Sequence, residues 1–191
     1  MPLMIKNLKK SFGEKVIFDG FSYNFSENGI VALIGNSGCG KTTLLRLICG
    51  LDKGYEGLID GEDASFVFQE YRLFPTMTAL ENIVKALYER PTKENEDEAK
   101  KLLMRFGFTE EDTRLYPKEL SGGMKQRVSL CRALLAKKPI LLLDEPFKEL
   151  DPDLRATLSG ILNEEKKERL VIFTAHGEEM ANALSAIKIY V

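Results

Sequence analysis

No run in this chain approaches the roughly 18 uninterrupted apolar residues that a membrane-spanning helix needs. The N-terminal stretch MPLMIKNLKKSFGEK has no apolar signal core either. The chain is therefore expected to be cytosolic, at a membrane only through a partner. Cysteine is scarce: Cys39, Cys49 and Cys131 are the three, without CxxC spacing and without a histidine beside them. That pattern favours reduced thiols over a metal site or a disulfide. A large charge imbalance is missing as well. Lys+Arg number 27 against Asp+Glu 29, a net charge of −2, which argues against a nucleic-acid partner held by bulk charge. Internal repeats and low-complexity segments are absent.

What is present fits one domain over residues 1–191, with 44% hydrophobic and 29% charged residues. Phe21, Tyr23 and Phe25 alternate with polar residues and predict a half-buried antiparallel strand. GIVALI, ILLL and RLVIFTA predict buried strands, IKIYV a further strand, and EGLIDGE a short hairpin edge. Leu44, Leu45 and Ile48 have helical spacing, as do Ala99, Leu102, Leu103 and Phe106. Met124, Val128, Cys131 and Leu135 share a helix face after Ser121. Asp151 before Pro152 reads as an N-cap with proline at the first helical position. Strands alternating with helices indicate an α/β fold with a mainly parallel core. A small antiparallel β subdomain and a helical subdomain over about 78–137 complete the expected organisation.

Gly35, Gly40, Lys41 and Thr42 fit G-x-x-x-x-G-K-[ST], set between a buried strand and a helix. Glycines let backbone N–H groups turn around a polyanion, and the helix start adds its positive end. Lys41 supplies charge to β- and γ-phosphates, and the Thr42 hydroxyl suits Mg²⁺. Asp144 and Glu145 end a buried strand, where α/β sheets place ligands. Asp144 suits Mg²⁺ and Glu145 the polarisation of water. In ELSGGMKQR, Ser121 caps a helix whose first residues, Gly122 and Gly123, are poor helix formers. A second anion-binding helix end accounts for them better than a cap alone. One nucleotide then meets both elements from a single molecule or from two.

These residues carry a family resemblance. The chain resembles the nucleotide-binding subunit of an ATP-binding-cassette (ABC) transporter over essentially its whole length. GNSGCGKT resembles the Walker A motif, LLLDE Walker B, LSGGM the signature, FVFQE the Q-loop and KELD the D-loop. The resemblance implies a P-loop NTPase core that binds ATP and Mg²⁺. ATP would contact Phe12, which stacks on adenine, and the loop residues Asn36, Ser37, Gly38, Cys39, Gly40, Lys41, Thr42 and Thr43. Ser121, Gly122, Gly123 and Asp151 would complete the site across a head-to-tail dimer with a second copy of the chain. Mg²⁺ falls to Thr42, Gln69 and Asp144, and catalysis to Glu145, Gln69 and His176, the only histidine.

QEYRLFPTMTALENI and LSGGMKQRVSLCRALL are similar to importer subunits, especially those for nitrate, sulfonate and taurine. The implied partner is a separate transmembrane permease, with a solute-binding protein acting through it. The implied location is cytoplasmic, on the inner face of the cell membrane. Three features depart from the family. Lys148 and Glu149 replace small D-loop residues, the β subdomain is trimmed, and Val191 leaves no room for a C-terminal regulatory domain. A soluble ABC ATPase acting on a protein or nucleic-acid partner is the alternative. Its two-cassette and coiled-coil versions do not match a chain with one phosphate loop and no sustained heptads.

Overall fold

Strands β1 (Met4–Phe12) and β2 (Lys15–Asn24) form a tight antiparallel hairpin in the computed structural model, which describes residues 3–61 and 63–191. Gly13, at φ 58°, makes the turn. In β2 Phe21 and Tyr23 are half-buried, as the alternation predicts, and Phe25 lies just beyond the strand, buried. Next come β3 (Gly29–Ile34), α1 (Lys41–Ile48), β4 (Glu56–Asp60) and β5 (Ala64–Val67). The hairpin expected near Gly57 does not form. β4 pairs antiparallel with β1, Ile59 opposite Ile5, while β5 joins a different sheet. Gly57 lies beside an irregularity of β1, where a side chain would collide with the Lys6 and Asn7 carbonyls. It marks a close backbone approach, and not a turn.

Helices α2 (Ala79–Leu87), α3 (Lys93–Arg105) and α4 (Gly122–Leu135) follow, with two short 3-10 turns between α3 and α4. The chain ends through β6 (Ile140–Leu143), α5 (Pro152–Glu165), β7 (Leu170–Ala175), α6 (Glu179–Ala183) and β8 (Ile187–Tyr190). The larger sheet has the order β5-β6-β7-β3-β8. β3 runs parallel to both β7 and β8, and β6 parallel to β7. The fold is α/β, with a parallel-cored five-stranded sheet and a small antiparallel one.

The chain divides into two compact units. The first contains Met1–Phe66, Lys138–Glu145 and Leu162–Val191. Its core joins Leu3, Ile5 and Leu8 of β1 to Val31 and Leu33 of β3, Leu44 and Leu45 of α1, Leu142 and Ile172. Each such side chain contributes about 1.5–3 kcal/mol on burial. Ile30 to Ile34 are all buried, so β3 is covered on both faces, as parallel strands are. The second unit contains Val67–Lys137 and Pro146–Ile161. Helices α2, α3 and α4 pack together there around Ile83, Leu103, Phe106, Val128 and Cys131. α2 and α3 both start with a capping box, from Thr78 with Glu81 and from Thr92 with Asn95.

Candidate active site

In the first unit β3 stops at Ile34, and the chain turns through Gly35–Gly40 into α1. Gly38 (φ 78°) and Gly40 (φ 119°) take conformations that L side chains rarely adopt. Gly40 is also tightly enclosed, for a Cβ there would lie 2.5 Å from Ile17 Cγ2. α1 begins with no side-chain cap and no acidic residue in its first turn. Its first N–H groups are therefore not closed off by the chain's own side chains. Lys41 is 6% exposed, and its ammonium donates to the Gly35 (2.6 Å) and Asn36 (2.9 Å) carbonyls. A longer contact reaches Cys39 Sγ, at 3.8 Å. No carboxylate pairs with Lys41 among the described residues. Asn36, Ser37 and Thr42 are exposed, and Thr43 is half-buried.

The end of β6 brings acids to this loop, and the end of β7 brings Thr174 and His176 beside them. Thr42 Oγ1 donates to Asp144 Oδ2 at 2.8 Å, across 102 residues of sequence. The other carboxylate oxygen accepts from Thr174 Oγ1 at 2.7 Å, and the same hydroxyl accepts the Glu145 N–H at 2.8 Å. Thr174 was not singled out from sequence. Its signal was a polar residue at the C-terminal end of a buried strand. Glu145 adopts φ 50°, a strained backbone for a non-glycine residue, and its Oε1 lies 2.7 Å from His176 Nε2. Phe12, at the turn of the first hairpin, is 53% exposed, so it is no core residue. The Lys10 ammonium sits 4.6 Å from its ring centroid.

A fit test for a nucleotide polyphosphate and Mg²⁺ rests on these groups. A buried ammonium bound to two carbonyls and a thiol, with no carboxylate partner among the described residues and beside an uncapped helix start, is an uncompensated positive centre suited to a polyanion. Thr42 and Asp144 offer adjacent hard oxygens of the kind Mg²⁺ takes. No group of three or more His, Cys, Asp or Glu side chains could hold a metal among the described residues. A Mg²⁺ here would complete its shell with phosphate oxygens and water, as this ion usually does. The residues fit.

The second unit holds the other sequence-predicted residues. Gln69 is exposed and opens the segment leading to α2. Ser121 caps α4 by accepting the Met124 N–H at 3.2 Å. Over this helix start Tyr71 OH donates to Glu149 Oε2 at 2.8 Å. Burial, with Glu149 alongside, raises the Tyr71 phenol above its ordinary pKa. A Cβ on Gly122 would lie 3.2 Å from that hydroxyl and 3.4 Å from that carboxylate. Arg132 of α4 donates to the Tyr71 and Arg72 carbonyls, and buried Gln126 to the Pro146 carbonyl. Asp151 accepts the Leu154 N–H and so caps α5.

Asn82 is a further residue that the sequence reading missed. Fully buried, it donates to the Phe74, Met77 and Thr78 carbonyls and accepts the Phe74 N–H. Its signal was an amide on the apolar face of an amphipathic helix.

Comparison with known proteins decides the family: the one described as ABC transporter matches residues 18–148. The chain belongs to the ABC transporter family. A sulfate/thiosulfate import ATP-binding protein, CysA of Acinetobacter baylyi, is 41% identical over 95% of this chain and 57% of its own length. An aliphatic sulfonates import ATP-binding protein, SsuB of Bacillus cereus, is 39% identical over 94% of this chain and 75% of its own. The chain thus spans little more than half of the CysA relatives it matches. A solved dimeric structure of MJ0796, a bacterial ABC transporter cassette, superposes with a TM-score of 0.82. It is 29% identical, with 94% of this chain and 90% of that chain covered. A second structure of MJ0796, in a post-hydrolysis state bound to ADP and Pi, gives a TM-score of 0.80 at 30% identity. Its coverage is the same 94% and 90%.

Proposed function

We propose that this ABC-family chain binds and hydrolyses ATP, with Mg²⁺, to drive solute import through a separate membrane permease. The observation that carries the reading is the buried Lys41 ammonium at the uncapped start of α1, with the Thr42–Asp144 oxygen pair beside it. The importer names of CysA and SsuB relatives support import over a soluble non-transport role. When bound, ATP would supply the phosphoryl bond whose hydrolysis drives movement. Gly38, Cys39, Gly40 and Lys41 hold its phosphates, with Asn36, Ser37, Thr42 and Thr43 lining the same turn. Thr42 and Asp144 would hold Mg²⁺. Glu145 accepts a proton from water while His176 holds its carboxylate, and Phe12 stacks on the base. Ser121, Gly122, Gly123 and Asp151 act toward the ATP of a second copy in a head-to-tail dimer.

The location is cytoplasmic and peripheral at the inner membrane face, with a solute-binding protein as the outer partner of the permease. No helix among the described residues is long and apolar enough to cross a membrane. The segment after Gln69 is the proposed permease contact. Asn82 holds it in shape, and Phe74 presents a ring 46% exposed. The test is Glu145→Gln, which should keep ATP binding and cut turnover by about 10²-fold or more. Turnover near the wild-type rate removes Glu145 from its role. For the transport half, Leu73→Glu with Phe74→Glu should abolish co-purification with the permease and leave ATP binding intact. Retained assembly and transport would remove this contact.

A further inference from the structure

Lys10 lies in β1 with its side chain 6% exposed, an expensive place for an ammonium unless it is paired. It is paired twice. Its Nζ donates to Asp52 Oδ1 at 3.2 Å and to the Gly54 carbonyl at 2.6 Å, both in the loop that leaves α1. Its hydrogen bond holds the Asp52 carboxyl below the usual carboxylate range. An ammonium has three N–H donors. Two are taken by these oxygens, and the Phe12 ring centroid lies 4.6 Å from the nitrogen. Phe12 nevertheless remains 53% exposed. One part of the ring is backed by a fixed cation, and the rest is open to solvent.

The geometry points to Lys10 as the positioning residue that makes Phe12 a platform for a purine base. The inference deepens the reading of Phe12 given above and rests on it. Two physical effects act together. The cation draws π density toward itself, which leaves the outer face a better partner for an electron-rich purine. The Asp52 and Gly54 contacts also tie the platform to the loop following α1, whose N-terminus carries the phosphate turn. The spacing between base and phosphate subsites is then fixed by one buried amine. A solvent-exposed phenylalanine without such a brace would sample several rotamers and lose affinity to ordering.

The test compares affinities of the full chain for Mg²⁺–ATP and for Mg²⁺–tripolyphosphate, which has the phosphates but no base, by titration calorimetry. Lys10→Met should weaken ATP binding about three- to tenfold and leave tripolyphosphate binding unchanged. Lys10→Arg, which keeps a cation beside the ring, should recover most of the loss. Asp52→Asn, which loosens the brace but keeps the amine, should give a smaller loss of the same kind and serves if Lys10→Met fails to fold. Equal weakening of both ligands, or of neither, overturns the inference. If Phe12→Ala leaves the ATP-to-tripolyphosphate ratio unchanged, the base platform itself is overturned, and this role with it. If Phe12→Ala collapses the ratio while Lys10→Met and Asp52→Asn both preserve it, the inference alone is overturned.

Discussion

The starts of α1 and α4 look alike in sequence, since each places two glycines around the first helical turn, yet they are built on opposite principles. At α1 the glycines are needed for backbone conformation: Gly38 and Gly40 have positive φ, and Gly40 is walled in by Ile17 and Phe18. No side chain caps this helix, and a lysine with no acidic partner is buried against it. At α4 the glycines are ordinary helical residues, and Ser121 has already capped the helix. What Gly122 provides is space, occupied by the Tyr71 hydroxyl and the Glu149 carboxylate. One helix start has no side-chain cap and a buried cation beside it; the other is capped by Ser121 and has Tyr71 and Glu149 beside Gly122. A glycine-rich helix start therefore does not by itself mean an anion site.

The contrast can be broken, or sharpened, by substitution. The largest effect is expected for Gly40→Ala, where conformational strain adds to a clash. About 2–5 kcal/mol of stability should go, read by urea denaturation, and nucleotide binding with it. A wild-type unfolding midpoint would show that the tight turn is not required. Lys41→Met should weaken Mg²⁺–ATP binding by about tenfold or more, since hydrogen bonds to charged groups contribute about 1.5–3 kcal/mol. The same variant, free of ligand, should melt no lower than wild type, because a buried unpaired charge has been removed. A clear drop in melting temperature would mean that the ammonium is a structural staple.

Ser121→Ala should cost about 1 kcal/mol, the usual worth of an N-cap, and this should appear in thermal melting without nucleotide. The smallest effect belongs to Gly123→Ala. A Cβ there would meet the Glu149 carbonyl at 3.6 Å, an ordinary contact. Stability should rise by about a few tenths of a kcal/mol from helix propensity alone. If ATP-dependent self-association, read by light scattering, falls while stability rises, Gly123 is kept small for the second copy. Unchanged association would leave it without that role.

Residues that act through neighbours in sequence were the ones legible beforehand. The phosphate turn is consecutive, so its spacing could be read directly, and so could the acids ending β6. Thr174 and Lys10 escaped because each acts on a partner 30 to 44 residues away, Asp144 for one and Asp52 and Gly54 for the other. Asn82 escaped for a different reason: its partners are local backbone carbonyls, which leave no trace in composition. The misplaced hairpin has the same origin. The pattern around Gly57 shows a strand and a glycine, but which strand lies opposite is a tertiary fact, decided here by β1. In α4, Gly122 also makes room for Tyr71 and Glu149 within its own unit, a neighbourhood that no local pattern shows.

The strand order has a consequence for how the protein is made. β3, which delivers the phosphate turn, is flanked by β7 and β8, whose residues lie between Leu170 and Tyr190. A ribosome therefore releases the turn and α1 long before either flanking strand exists. Until then β3 is an apolar segment with both edges bare, the kind of surface that chaperones hold and that aggregates when they do not. The turn after β3 is synthesised well before the strands that secure it. Nascent chains arrested before β7 emerges should be protease-sensitive at Gly35–Gly40 and indifferent to ATP.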